Sequence, residues 1–136
     1  YKGGSCVHAS TINLLKWQGL DELAQWWREN HGYGEYAERL ASKMDKAGLR
    51  FAYVTNGDPA FIEWAIRTRR GCGIGYKPRH AINCVGLTAT HAVLLDNNAT
   101  HRYEYVPREE FFRRWKSFGG WAWTVIYDPP APRPVA

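Results

Sequence analysis

The chain has 136 residues, of which 45% are hydrophobic and 23% charged, a composition typical of one folded domain rather than a disordered segment. Its net charge of +5 permits an anionic partner without requiring one. No apolar run approaches the roughly 20 residues of a transmembrane helix, and no basic-then-apolar leader is visible. The three cysteines have neither disulfide-framework nor zinc-type spacing. We therefore expect reduced thiols, in the cytoplasm or another reducing compartment, and no metal or other cofactor.

The first half of the chain predicts helices. Apolar residues recur at helical spacing over residues 6–17, 20–29 and 36–47, and Gly48 follows the last stripe where a helix-ending glycine is expected. In the second half Asp58 precedes Pro59, which is typical of a helix start, and a shorter helix begins after Pro107. Apolar or alternating runs predict strands at residues 51–54, 74–76, 81–87, 91–96, 102–106 and 121–127.

This order of elements predicts an α+β fold, in which N-terminal helices pack on a C-terminal antiparallel β-sheet. Residues 1–127 form the single predicted domain. The proline-rich residues 128–136 predict an extended tail outside that domain, because proline favours the polyproline conformation.

Cys6 is the first candidate for chemistry. Two glycines precede it by two and three residues and let the backbone turn tightly, so that Cys6 lies at the start of the first predicted helix. The unpaired N–H groups and the positive end of the helix dipole stabilise a thiolate there. This position is typical of a nucleophilic cysteine, whereas the alternative is an inert buried thiol.

A thiol nucleophile needs a base, and the base needs an orienting group. If the hairpin of residues 81–96 turns at Thr88, Cys84 faces Ala92 and His80 faces Asp96. Facing side chains lie close enough to hydrogen-bond. A slip of one residue places Asn97 opposite the histidine instead, and either side chain can fix the imidazole tautomer.

These residues in this order resemble the papain-like cysteine peptidases. The Gly-Ser-Cys motif ending at Cys6 opens a long helix, His80 begins a distant strand, and Asp96 or Asn97 follows the next strand. Residues 106–125 resemble the helix and closing strand that follow the catalytic triad in such proteins. The likeness is strongest to the bacterial branch that includes the leader-cleaving peptidase domains of bacteriocin exporters.

The resemblance implies a papain-like fold and a catalytic triad of Cys6, His80 and Asp96, since the third residue of that branch is usually Asp. It also implies an oxyanion hole made by the backbone N–H of Cys6 and by a Gln side chain upstream of the nucleophile. No Gln is present among residues 1–5 of this chain.

Other candidates carry weaker signals. His8 lies two positions after Cys6, which on a helix directs it elsewhere, so we expect core or groove lining. His91 is the second candidate base, but it lies near the hairpin turn and away from His80. Cys84 is expected to be buried in mid-strand, and Cys72, between two glycines, to be structural or exposed.

Two functional interpretations follow. The first is a thiol-dependent enzyme that hydrolyses peptide or amide bonds in a peptide or protein substrate. The second is a peptidase-like binding or structural module of a larger protein assembly, with little or no activity. The short basic runs at residues 68–70 and 113–116 are explained by solvated helix faces and do not favour a nucleic-acid partner.

Overall fold

A computed structural model describes residues 5–31, 37–77, 80–99 and 101–127. These residues form five helices and one six-stranded antiparallel sheet, which confirms the α+β prediction. The helices are α1 (Ser5–Trp17), α2 (Asp21–Asn30), α3 (Ala37–Lys46), α4 (Pro59–Arg67) and α5 (Arg108–Ser117). The strands are β1 (Phe51–Val54), β2 (Cys72–Lys77), β3 (His80–Leu87), β4 (His91–Leu95), β5 (Glu104–Pro107) and β6 (Ala122–Val125). The predicted proline-rich tail, residues 128–136, lies outside the described residues.

Local signals fix several of these boundaries. The Asp58 carboxylate accepts a hydrogen bond of 3.0 Å from the backbone N–H of Ala60, and Pro59 is the first residue of α4. Gly48 follows α3 with φ of +71°, a conformation that glycine adopts without steric cost. None of the helices in the described segments is long and apolar enough to cross a membrane.

The sheet has the strand order β1-β6-β2-β3-β4-β5, and helices cover both of its faces. On β3, Ala81 and Val85 join an apolar cluster with side chains of α1, α2 and α3. Ile82 and Cys84, at the alternate positions, join a second cluster with side chains of α4 and α5. The prediction of N-terminal helices on a sheet therefore describes one face, and the two later helices cover the other.

The predicted register of the β3–β4 hairpin is wrong. Cys84 pairs with Leu94 rather than with Ala92, and the register shifts between Cys84 and Gly86. The longer loop causes the difference, because Leu87 pairs with Ala92, three positions beyond the predicted register. Val85, an extra residue in β3, reduces the offset to two positions at Cys84. The backbone N–H of Thr88 donates to the carbonyl of His91 at 2.8 Å, which closes a loop of residues 88–91. Direct pairing therefore does not place His80 opposite Asp96.

Candidate active site

Cys6 lies in the first turn of α1, as its second residue. The first backbone N–H groups of a helix have no partner within it, so the thiol lies in a region of positive electrostatic potential. Its side chain is buried, and the Sγ atom accepts a hydrogen bond of 3.3 Å from the backbone N–H of Ala81. This bond joins the start of α1 to the start of β3, where the candidate base lies.

His80, the first residue of β3, contacts both of its predicted partners. Its Nε2 atom lies 3.2 Å from Oδ1 and 3.4 Å from Oδ2 of Asp96, and the imidazole also hydrogen-bonds to the side chain of Cys6. Because Nε2 faces the carboxylate, Nδ1 is the nitrogen through which the ring can exchange a proton with the thiol. The side chains of His80 and Asp96 are 16% and 17% exposed, so solvent screens their interaction only in part.

These contacts favour a protonated imidazole. The hydrogen bond with Cys6 raises the pKa of His80 above its usual value, and the Asp96 carboxylate raises it further through a hydrogen bond and its charge. Partial burial opposes this effect, since burial disfavours a charged ring, but the net direction of the pKa is upward. An imidazolium ion held against a thiol at a helix start is the arrangement that stabilises a thiolate near neutral pH.

Asp96 and Asn97 have different partners. Oδ1 of Asp96 also accepts a hydrogen bond of 2.9 Å from the backbone N–H of Asn98, which orients the carboxylate towards His80. Nδ2 of Asn97 instead donates to the backbone carbonyl of Cys6 at 3.1 Å. Of the two alternatives for the third residue, the distances therefore favour Asp96.

Two polar residues near the site, Ser10 and Asn83, were not predicted from the sequence. Ser10 lies one helical turn after Cys6, and its hydroxyl donates to the carbonyl of Ala81 at 2.6 Å. Nδ2 of Asn83, in the middle of β3, donates to the backbone carbonyl of Ser10 at 3.0 Å. An amide within an otherwise apolar strand was the available signal, because a buried amide needs a partner.

The two other candidate histidines have hydrogen-bond partners outside the Cys6–His80–Asp96 group. His8 is buried, and its Nδ1 accepts a hydrogen bond of 3.1 Å from the indole N–H of Trp27. Burial, with the neighbouring charges of His31 and Lys43, lowers the pKa of His8 to about 4. His91, at the opposite end of β4 from Asp96, places Nδ1 2.8 Å from the hydroxyl of Thr90.

Cys72 and Cys84 form a directly facing pair on β2 and β3, and both are fully buried. A hydrogen bond between their side chains, together with burial, raises the pKa of the Cys72 thiol well above its usual value. This confirms the predicted burial of Cys84 and excludes the exposed alternative for Cys72. Both sulfurs lie in the apolar cluster of the α4 and α5 face, which is the setting of a structural cysteine.

No group of three or more His, Cys, Asp or Glu side chains within the described ranges is arranged to hold a metal ion. Comparisons with protein-family models, with curated proteins and with solved structures gave no match to this chain.

Proposed function

We propose that the chain is a papain-like cysteine peptidase that hydrolyses peptide or amide bonds through an acyl-enzyme. The observation that carries the proposal is the position of the His80 imidazole, which contacts the Asp96 carboxylate and also the Cys6 thiol at the start of α1. Thiol acyl transfer requires a base that contacts a nucleophile on one side and an orienting group on the other.

The reaction would proceed in two stages. The Cys6 thiolate attacks the substrate carbonyl carbon, and the imidazolium of His80 donates its proton to the leaving nitrogen as the C–N bond breaks. The neutral imidazole then takes a proton from water, and the resulting hydroxide attacks the thioester. When the C–S bond breaks, the thiolate and the imidazolium are restored. Asp96 stabilises the positive charge of the ring whenever the ring is protonated.

The oxyanion of each tetrahedral intermediate needs hydrogen-bond donors. The backbone N–H of Cys6, in the first turn of α1, is the proposed donor from the nucleophile itself. The family resemblance calls for a second donor from a Gln side chain upstream, and residues 1–5 contain none. Loss of one such donor typically slows an enzyme by about a hundred- to thousandfold, so we expect turnover to depend on what supplies it.

The pH dependence of thiol alkylation tests the proposal. Iodoacetamide labelling of Cys6, resolved by peptide mass spectrometry, is measured from pH 4.5 to pH 9. At pH 6 an ordinary thiol of pKa about 8.5 is only about 0.3% ionised, whereas a thiolate–imidazolium pair keeps reacting. We expect a labelling plateau on the acid side in the parent protein. His80→Asn should remove it and lower the rate at pH 6 by about tenfold or more.

Preferential labelling of Cys6 over Cys72 and Cys84 does not test the proposal, because those two thiols are fully buried and are protected from the reagent in any case. The matched control is His91→Asn, a histidine on the adjacent strand that should leave the profile of Cys6 unchanged. A parent profile that follows one ordinary thiol ionisation, unaffected by His80→Asn, would contradict the proposal. It would favour a binding module that keeps the fold without the chemistry.

A further inference from the structure

Asn97 spans the gap between the nucleophile and the strand that carries the base. Its Nδ2 atom lies 3.1 Å from the backbone carbonyl oxygen of Cys6, 3.0 Å from Oγ of Ser10 and 3.3 Å from the carbonyl oxygen of Ala81. Since the Ser10 hydroxyl donates its own hydrogen to Ala81, its oxygen is free to accept from the amide. Three acceptors around one NH₂ group fix the orientation of the amide.

The chain neighbour of Asn97 is Asp96, which holds His80. Consecutive Cα atoms across a trans peptide are about 3.8 Å apart, so the two anchoring side chains cannot separate. Two consecutive residues after β4 therefore bind both parts of the site: Asp96 contacts the base His80, and Asn97 donates to the backbone carbonyl of the nucleophile Cys6. A shift of α1 along the sheet would therefore strain the hydrogen bonds of Asn97 as it moved the sulfur away from the imidazole.

We propose that Asn97 is a positioning residue for the Cys6–His80 pair: it holds the nucleophile's backbone at the distance from the imidazole that proton transfer needs. This inference rests on the proposed peptidase function and adds a residue to its site. Asn97 acts through the carbonyl of Cys6 and touches neither the sulfur nor the substrate in this role. A displacement of about 1 Å between reacting groups can cost a hundredfold in rate, so such an anchor has a measurable effect.

Asn83 provides a matched control. It is also an asparagine, and its Nδ2 atom also donates to a carbonyl of α1, but that carbonyl belongs to Ser10, one turn away from the nucleophile. Asn83 is more deeply buried than Asn97, so its truncation should lower thermal stability at least as much. A difference between the two variants in thiol reactivity therefore separates positioning from general stabilisation of the fold.

The experiment compares Asn97→Ala with Asn83→Ala in the full chain. The readout is the ratio of the Cys6 alkylation rate at pH 6 to that at pH 9, measured below the melting temperature of each variant. At pH 9 the thiol ionises without help from the imidazole, so the ratio cancels changes in access to the sulfur. We expect Asn97→Ala to lower the ratio by about tenfold, and Asn83→Ala to leave it within about twofold of the parent.

Asn97→Ser is the second variant and decides the question if Asn97→Ala does not fold. A serine hydroxyl supplies one donor of shorter reach, so a ratio between those of the parent and the alanine variant supports the proposal. The proposal is overturned if every Asn97 variant that folds keeps the parent ratio, or if Asn83→Ala lowers the ratio as much. A parent protein without an acid plateau would instead refute the peptidase function, and the positioning role would fall with it.

Discussion

The two faces of the sheet are attached to their helices in different ways. Near α1, the buried polar residues of the described chain form a hydrogen-bonded group: His8, Ser10 and Thr11 belong to α1, Gln18 directly follows it, and Asn83 donates to it. The sixth buried polar residue, Thr124 on β6, accepts a hydrogen bond from the side chain of Gln18. The face covered by α4 and α5 is packed with aliphatic and aromatic side chains, including Ile62 and Phe111, and its Trp115 adds one buried hydrogen bond of 2.8 Å from the indole N–H to the carbonyl of Trp121. The first attachment is directional, and the second depends mainly on filled volume.

This difference matters because the two kinds of contact resist displacement unequally. A hydrogen bond weakens steeply when its angle changes, whereas the apolar contacts of a core have no preferred direction. The candidate site lies on the face that hydrogen bonds hold, with Cys6 against an imidazole. On the other face Cys84 meets a second thiol, that of Cys72, in an apolar setting. The surroundings of each cysteine, more than its burial, separate a candidate nucleophile from a packing residue.

Replacing each cysteine in turn gives the largest expected contrast. Cys6→Ala removes the proposed nucleophile, so hydrolysis of a peptide library should fall by about a thousandfold or more while the fold is kept. Cys84→Ala should leave that hydrolysis nearly unchanged and lower the free energy of unfolding by about 1 kcal/mol, the cost of a small buried cavity. Product formation by mass spectrometry and urea denaturation measure the two effects.

Equal hydrolysis by the parent and the Cys6→Ala variant would contradict the assignment of the nucleophile. Loss of hydrolysis in the Cys84→Ala variant at unchanged folding would show that the apolar face also takes part in the chemistry.

The sequence predicted α1 and α4 well because their signals are local. The helical stripe predicted α1 over residues 6–17, against Ser5–Trp17 in the structure, and the Asp58–Pro59 pair located the start of α4. Helix caps and helical periodicity depend on residues a few positions apart, so the sequence contains them directly. For the same reason Cys6 was recognised as a candidate from its neighbours alone.

The hairpin and the polar anchors were harder to predict because they depend on distant residues. The loop of residues 88–91 displaces the pairing by three positions from the predicted register, and the extra residue Val85 moves it back by one, neither with a clear sign in the apolar run. His80 contacts Asp96 although the predicted register is wrong. Asp96 lies beyond the last residue of β4, outside the strand pairing, and the backbone N–H of Asn98 orients its carboxylate. The role of Asn97 depends on where α1 packs, which periodicity does not determine.

Truncation within the apolar face gives the second contrast. Phe111→Ala removes a fully buried ring from the α5 side, and we expect the free energy of unfolding to fall by about 3–5 kcal/mol. The pH 6 to pH 9 ratio of Cys6 alkylation should stay at the parent value in the folded variant, since hydrogen bonds on the opposite face hold the site. Urea denaturation and labelling measure the two quantities. Phe111→Leu is the milder variant, and a lowered ratio in both variants would contradict the independence of the faces.

The third contrast is in pH dependence, between two histidines near α1. The pKa of His8 is lowered to about 4, so between about pH 6.5 and pH 4 the ring is protonated in the unfolded chain but neutral in the folded protein. The parent should therefore lose up to about 3 kcal/mol of stability between pH 6.5 and pH 4 through this residue. His8→Asn keeps an acceptor for the indole N–H of Trp27 and lacks the titrating ring, so it should escape that loss.

His80 should show the opposite dependence, because its pKa is raised in the folded protein. Its contribution to stability is fully present below about pH 6.5 and is lost as the pH rises through the folded-state pKa. Urea denaturation at pH 4.5, 5.5, 7 and 8.5 therefore compares the parent with His8→Asn and with His80→Asn. The advantage of the parent over His8→Asn should shrink as the pH falls, and its advantage over His80→Asn should shrink as the pH rises. Parallel curves for the two variants would contradict the inference that burial governs one ring and charged partners the other.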